Sequence, residues 1–392
     1  MTGALRMGWL YALRHKWQTL IVSLCVAATV GLPVAAEWLL GHYERELSTR
    51  AASVPLVAGT KGSRFDLAFS SLYYRVLPIE PATMALADEI AADPGVIAVP
   101  MHARFTAHGM PLVAIGADYF DIRGLRAAEG TLPLMLGDAV LGASVAEELA
   151  EELGIGVGDS IFSDQRDLFD LSVPPPLKMK VVGVLERTGS ADDHAVFTDI
   201  ATAWVLEGLM HGHLDESQVD DKLVMARTPE HVALSPSMSS YNEITAENIA
   251  SFHAHADPES LPITGVLIYP RDDKAKTLVK ARINNVGRYQ AIEPGELVDE
   301  LFDVVFRVKI VFDWLIILMG AVTVLLVALV SILSTRLRRA ELDTLEKIGA
   351  SGVFRASLVS MQLVISITIG VLIGLAGAGL AFALLSGLIY TM

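Results

Sequence analysis

Two short histidine pairs are the first residues whose type and spacing suggest chemistry. They are His211-Gly212-His213 and His253-Ala254-His255, with Asp215, Glu216, Asp220 and Asp221 close to the first. In an extended segment residues i and i+2 share a face, so each pair can converge on one cation. Neutral imidazoles suit zinc, copper or nickel. A solvated acidic loop that merely carries histidines accounts for the same residues, because neither spacing is a standard zinc signature. Both readings stay open, and His211, His213, His253 and His255 are the candidate metal ligands.

Covalent chemistry finds no support. No G-x-x-x-x-G-K-[ST] run cradles a nucleotide phosphate, and Gly59-Thr60-Lys61-Gly62-Ser63 has the wrong spacing for one. Neither H-E-x-x-H nor G-x-S-x-G occurs, and Ser144 in Gly142-Ala143-Ser144-Val145-Ala146 lacks the second glycine of a nucleophile elbow. The expectation is a chain with no catalytic residue and no bound nucleotide of its own. The single cysteine, Cys25, lies in an apolar run and excludes a disulfide within the chain. The net charge of −15 is concentrated in the middle of the chain, while both ends are net positive. An acidic domain of this kind repels nucleic acid, which demands clustered Lys and Arg.

Three apolar runs must position whatever the chain does. They cover about Thr19–Leu40, Ile310–Thr335 and Ala356–Met392, and crossing a bilayer takes about 20 apolar residues. The third would extend roughly 55 Å at 1.5 Å per residue, so it reads as one long helix, packed through Gly370, Gly374, Gly377 and Gly379. Arg6, Arg14 and Lys16 precede the first run, and Arg336, Arg338, Arg339, Lys347 and Arg355 separate the second from the third. Positive segments stay in the cytoplasm. The expected order is a cytoplasmic N-terminus (1–18), a span (19–40), an extracytoplasmic domain (41–308), a second span (309–335), a cytoplasmic loop (336–355) and a third span (356–392). A basic start followed by an apolar stretch and Val34-Ala35-Ala36 also resembles a cleavable signal peptide. This apolar stretch is longer than the roughly 7–15 residues of a usual signal core.

Within 41–308, strand and helix signals alternate. A helix pattern over Pro81–Asp93 precedes a strand at Val96–Val99, and a strand at Gly265–Tyr269 precedes a helix at Lys274–Asn284. Two such units predict an α/β layer built from both ends of the segment. Between them, Pro111–Gly116 and Lys178–Leu185 are strand-like and Gly154–Asp159 reads as turns, which predicts a β-rich insert. The fold class expected is an α+β membrane protein. About three transmembrane helices carry a large extracytoplasmic α/β domain, with 41–112 and 220–308 as its layer and 113–205 as the insert.

The loop between the second and third runs is the most distinctive segment. Leu342, Leu345 and Ile348 recur at helical spacing beside Glu341, Asp343, Glu346 and Lys347, and Gly349 stands where helices commonly end. Periodicity alone allows a helix that docks on a partner or one that lies on the membrane surface.

The run Arg338-Arg339-Ala340-Glu341-Leu342-Asp343-Thr344-Leu345-Glu346-Lys347-Ile348-Gly349-Ala350-Ser351 resembles the signature after the second span of FtsX/MacB-type ABC transporter permeases. Leu141-Gly142-Ala143-Ser144-Val145-Ala146, Leu153–Asp159, Val181-Val182-Gly183-Val184-Leu185, Gly189-Ser190 and Val196-Phe197 resemble segments of that family's external domain. The resemblance implies a permease of the mechanotransmission type, LolC/LolE-like, in the inner (plasma) membrane. It implies a separate cytoplasmic ABC ATPase that binds the ATP, a permease homodimer or heterodimer, contact with membrane lipid, and a periplasmic adaptor or substrate-binding protein as a further partner. It makes 41–112 and 220–308 a porter-like layer. Arg338, Arg339, Glu341, Leu342, Leu345, Ile348 and Gly349 would couple to the ATPase. The family usually has four spans and a carboxylate early in the third, where this chain has three apolar runs and Gln362. An ATPase-driven signalling transducer and a zinc-linked envelope protein are the alternatives.

Overall fold

The computed structural model describes residues 6, 9–10, 12–132, 135–165, 175–212, 224–227, 232–234, 242–254 and 256–386. Two compact units emerge, one of residues 1–46 and 300–392 and one of residues 47–299.

The first unit is helical. Helix α1 runs Lys16–Ala52, and its last turn belongs to the second unit. Six shorter helices of the second unit follow in chain order: α2 Arg64–Leu72, α3 Met84–Ala91, α4 Asp118–Arg123, α5 Ala143–Leu153, α6 Ile200–Leu206 and α7 Asp273–Asn285. Then come α8 Pro294–Leu337, α9 Arg339–Lys347 and α10 Gly352–Leu385. Helices α1, α8 and α10 are long and apolar enough to cross a membrane, by length and composition. The sequence predicts apolar runs of about twenty to forty residues, but the helices at α1 and α8 outrun them. Polar residues at those ends continue the helical hydrogen bonding without interruption.

Small residues set how α1 and α10 meet. A methyl group at Gly31 would fall 2.8 Å from the Gly374 carbonyl oxygen, and one at Gly374 would fall 2.7 Å from the Ala27 carbonyl oxygen. Ser23 donates to the Ser366 carbonyl at 2.8 Å, and Thr29 and Thr323 hydroxyls lie 2.8 Å apart. Spaced by four, Ser23, Ala27 and Gly31 form one ridge of small residues, facing Ser366, Gly370 and Gly374. Close backbone approach of this kind, with polar side chains bridging helices, is how apolar helices associate without a hydrophobic drive.

The second unit is built on one ten-stranded sheet. Its strands, with those of one small ribbon, are β1 Leu56–Thr60, β2 Val96–Ala107, β3 Met110–Ile115, β4 Ala127–Gly130, β5 Asp138–Leu141, β6 Ser160–Phe162, β7 Lys178–Leu185, β8 Val196–Thr198, β9 Met210–Gly212, β10 Phe252–Ala254, β11 Gly265–Pro270 and β12 Tyr289–Ile292. The order across the sheet is β12-β1-β11-β2-β3-β8-β5-β7-β4, with β6 paired to β7. All neighbours are antiparallel except β3 with β8 and β5 with β7. Strands β9 and β10 form one of the separate two-stranded ribbons.

Among the described residues, two clusters of buried side chains pack on the sheet. Leu56, Leu86, Ile90, Ile268 and Ile283 pack at one end, where α3 and α7 cover strands from both ends of the segment. Phe105, Leu141, Val145, Met179 and Val196 pack at the other. The second cluster also draws on Phe105 and Phe252 from outside 113–205, and strands of that segment extend the same sheet through the β3–β8 ladder. Strand β7 alternates buried and less buried positions along its length, as expected for a strand with one face on a core.

Candidate functional site

The most polar place in the core lies where α1 ends. Arg50, in the last turn of α1, is 5% exposed, and Asp192 is fully buried. The guanidinium meets the carboxylate end-on, with Nη1 donating to Oδ2 at 2.8 Å and Nη2 to Oδ1 at 3.0 Å. Nε donates to the Leu72 carbonyl at 2.8 Å. Tyr74 and Tyr119 hydroxyls each donate to Asp192 Oδ1, at 2.6 and 2.7 Å, and accept from Arg50 Nη2 at 2.7 and 3.1 Å. Arg123 Nη2 and Ser190 Oγ reach Asp192 Oδ2 at 3.3 and 3.0 Å.

Electrostatics hold this cluster in one charge state. Burial alone would raise the Asp192 pKa, but the Arg50 charge and the tyrosine hydroxyls outweigh it and hold the carboxyl well below the usual range. Burial also pushes the Tyr74 and Tyr119 phenols up, so both stay neutral and keep their donor protons. The aromatic rings close the site, since Phe197 packs edge-on to Tyr74 and Phe120 at 5.7 Å and stacks on Tyr119 at 6.1 Å.

Local backbone supports the cluster at some cost. Tyr74 adopts φ of 58°, a left-handed conformation that costs a bulky residue about 1–3 kcal/mol. Its hydroxyl reaches both Arg50 and Asp192 from that position. Gly142 gives the Asp192 turn its room, because a methyl there would fall 2.3 Å from the Asp192 carbonyl oxygen. Asp193 then accepts from Thr188 N and Gly189 N, at 2.8 and 2.7 Å, which closes the turn. The glycine of the Leu141-Gly142-Ala143 motif and the Gly189-Ser190 pair thus have structural tasks around one buried carboxylate. The arrangement fixes the last turn of α1 in the domain core.

The residues expected to couple to an ATPase divide into two sets. Arg338 is buried, and its guanidinium donates to Gln362 Oε1 at 2.7 Å and Gln18 Oε1 at 3.1 Å. It therefore ties α1, α9 and α10 together. Gln362, which replaces the carboxylate expected there, is the acceptor. Arg339, Glu341 and Ile348 are exposed, Ile348 to 75%, and Leu345 is half-buried. Leu342 lies within α9. Gly349 at φ 94° closes the helix, with Gly349 N bonded to Glu346 O at 2.9 Å and Ala350 N to Leu345 O at 2.9 Å. This is a Schellman cap. Ser351 at once caps α10 by accepting from Phe354 N at 3.2 Å. Gly349-Ala350-Ser351 is thus a stop followed by a start.

Of the histidines, His211 and His253 stand directly opposite each other in the β9–β10 ribbon, with ring centroids 5.7 Å apart. His213 and His255 lie outside the described residues. The sequence pairs each histidine with its i+2 neighbour, whereas the contact the structure shows is across strands.

The Arg50–Asp192 cluster has no signature in the sequence. Arg50 reads as one more charge beyond an apolar run, and Asp192-Asp193 as part of an exposed turn after Gly189-Ser190. The separation of 142 residues puts the pairing beyond any local pattern.

Comparison with known proteins covers the external-domain motifs, and the Arg338–Ser351 run lies beyond the family match. A family model described as the MacB-like periplasmic core domain matches residues 19–237, more than half of the chain. No curated protein matches it. Among solved structures, the periplasmic region of MacB from Actinobacillus actinomycetemcomitans aligns with 64% of this chain and 95% of its own length, at 10% identity and a TM-score of 0.36. The extracellular domain of the noncanonic ABC-type transporter YknZ from Gram-positive bacteria aligns with 60% of this chain and 98% of its own, at 12% identity and a TM-score of 0.34. On the family match, the chain belongs to the proteins with a MacB-like periplasmic core domain, the MacB/FtsX-type ABC transporter permeases.

Proposed function

We propose that this chain is the membrane permease subunit of an ABC transporter, driven by a separate cytoplasmic ATPase and acting on a substrate outside the inner membrane. The observation that carries the reading is the family match over 19–237. It joins the external domain to a chain with three helices long and apolar enough to span a bilayer. The basic residues around 6–16 and 336–355 orient those helices with α9 in the cytoplasm and residues 47–299 outside.

In this reading α9 receives the stroke of ATP hydrolysis. Its Schellman cap and the Ser351 cap make the 339–351 segment short and stiff, and Ile348 offers an exposed apolar contact to the ATPase. Arg338 passes the displacement to α1 and α10 through Gln18 and Gln362. Helix α1 runs from Lys16 to Ala52 with Pro33 inside it, and the Arg50 cluster holds its last turn.

The test is co-purification from the native membrane in mild detergent, with partners identified by mass spectrometry. The expected result is an ABC ATPase recovered with the wild type and lost with Leu345→Asp and Ile348→Asp, both variants remaining folded. Recovery of no ATPase with the folded wild type refutes the proposal.

A further inference from the structure

Two guanidinium charges in the Arg50–Asp192 cluster share one carboxylate. Arg50 Nη1 and Arg123 Nη2 both reach Asp192 Oδ2, at 2.8 and 3.3 Å. The Arg50 donors are met by that carboxylate, by the tyrosine hydroxyls and by the Leu72 carbonyl. Arg123 differs. Its Nε is buried and has no hydrogen-bond partner among the described residues, while the side chain as a whole keeps 18% exposure. Buried donors are nearly always bonded, so an unmet one calls for an acceptor.

A second unmet donor stands on the same side of the sheet. Side chains alternate along β11, so Gly265, Leu267 and Tyr269 share one face and Val266 and Ile268 the other. Val266 and Ile268 pack with Leu86 of α3 and Ile283 of α7. The Gly265 face meets α2, since a methyl at Gly265 would touch Leu67 and Ser71. Helix α2 ends at Leu72, whose carbonyl accepts from Arg50, so Tyr269 lies on the face that carries the cluster. Its hydroxyl is buried and without a hydrogen-bond partner among the described residues. Burial pushes the phenol up, so it keeps its proton, and Arg123 is the cation that acts on it most strongly. Ile97, opposite Tyr269 in the β2–β11 ladder, is 48% exposed, so solvent reaches this end of the strands.

We propose that Arg123 Nε and the Tyr269 hydroxyl together bind one small anion, chloride or the carboxylate of a small acid. Two donors beside a shared carboxylate select a negative acceptor, because hydrogen bonds to a charged acceptor are the stronger ones. Water would meet the hydroxyl and leave the second guanidinium charge unbalanced. Both donor atoms are buried, which limits the ligand to a small group. Bound there, the anion balances Arg123 and steadies the cluster that holds the last turn of α1.

Thermal unfolding of the full-length protein in micelles, scored by proteolysis within 47–299, tests this at fixed pH and ionic strength. Sodium isethionate, a bulkier anion, is replaced stepwise by sodium chloride or by sodium acetate. The wild-type midpoint should rise by about 2–5 °C and saturate with at least one of the two salts. A rise with chloride alone identifies a halide site, and one with acetate alone a carboxylate site. Tyr269→Phe should abolish the saturable rise yet melt like the wild type in isethionate, because the hydroxyl it removes has no protein partner. Arg123→Gln should abolish the rise as well, from a lower starting midpoint, since Asp192 loses a contact. No saturable rise in the wild type with either salt overturns the proposal. A rise that survives Tyr269→Phe puts the anion elsewhere and overturns it too.

Discussion

Replacing Asp192 by alanine should release the end of α1 from the domain core. The substitution leaves the Arg50 guanidinium buried without its counter-charge, and Arg123 beside it. Breaking a buried ion pair from one side costs about 3–5 kcal/mol, mostly as an uncompensated charge. With a urea dependence of about 3 kcal/mol per molar for a domain of this size, the unfolding midpoint should fall by ~1–2 M. Pulse proteolysis of the full-length protein in micelles, scored on the 47–299 fragment, reads that midpoint. Arg50→Met/Asp192→Leu should lose less than the two single changes summed, because neither partner is then left charged and buried. The pH dependence has a definite sign. The folded-state pKa of Asp192 is depressed, so its contribution is complete above the unfolded value of about 4 and is lost as pH falls through the folded value. Asp192→Ala should remove that acid-side loss. A midpoint at neutral pH unchanged within about 0.3 M, or strictly additive single changes, refutes the reasoning.

Other perturbations follow from the same geometry. Gly142→Ala forces a methyl against the Asp192 carbonyl and should cost about 1–3 kcal/mol, seen as a lower melting temperature. Gly156→Ala, with open space around it, should be near neutral. Gly374→Leu should separate α1 from α10, which cross-linking of cysteines placed at positions 23 and 366, with Cys25 replaced by serine, can follow by loss of the cross-link. Arg338→Met should uncouple rather than dissociate, with the ATPase still co-purifying but its hydrolysis no longer responding to the permease, and Arg338→Lys should not restore the response because one ammonium cannot bridge Gln18 and Gln362 as a forked guanidinium does.

Local physics made much of this protein legible as a string of residues. The apolar runs mark three long helices because twenty apolar residues in a row have few other fates. Gly349 and Ser351 announce the end of one helix and the start of the next, since a left-handed cap and a hydroxyl cap are chemistry of single residues. Lys178–Leu185 and Gly265–Tyr269 show their strand character through short-range pattern. Pairing was another matter. That β3 lies beside β8, so that the 113–205 segment continues one sheet, depends on which of many equivalent strand edges meet in space. Arg50 finds Asp192 142 residues away, Arg338 finds both Gln18 and Gln362, and His211 stands opposite His253 across two strands. For the two arginines the residue type stated a need, a counter-charge or an acceptor. Only the folded chain decided which partner met it, because burial makes an unmet charge far more costly than any local preference.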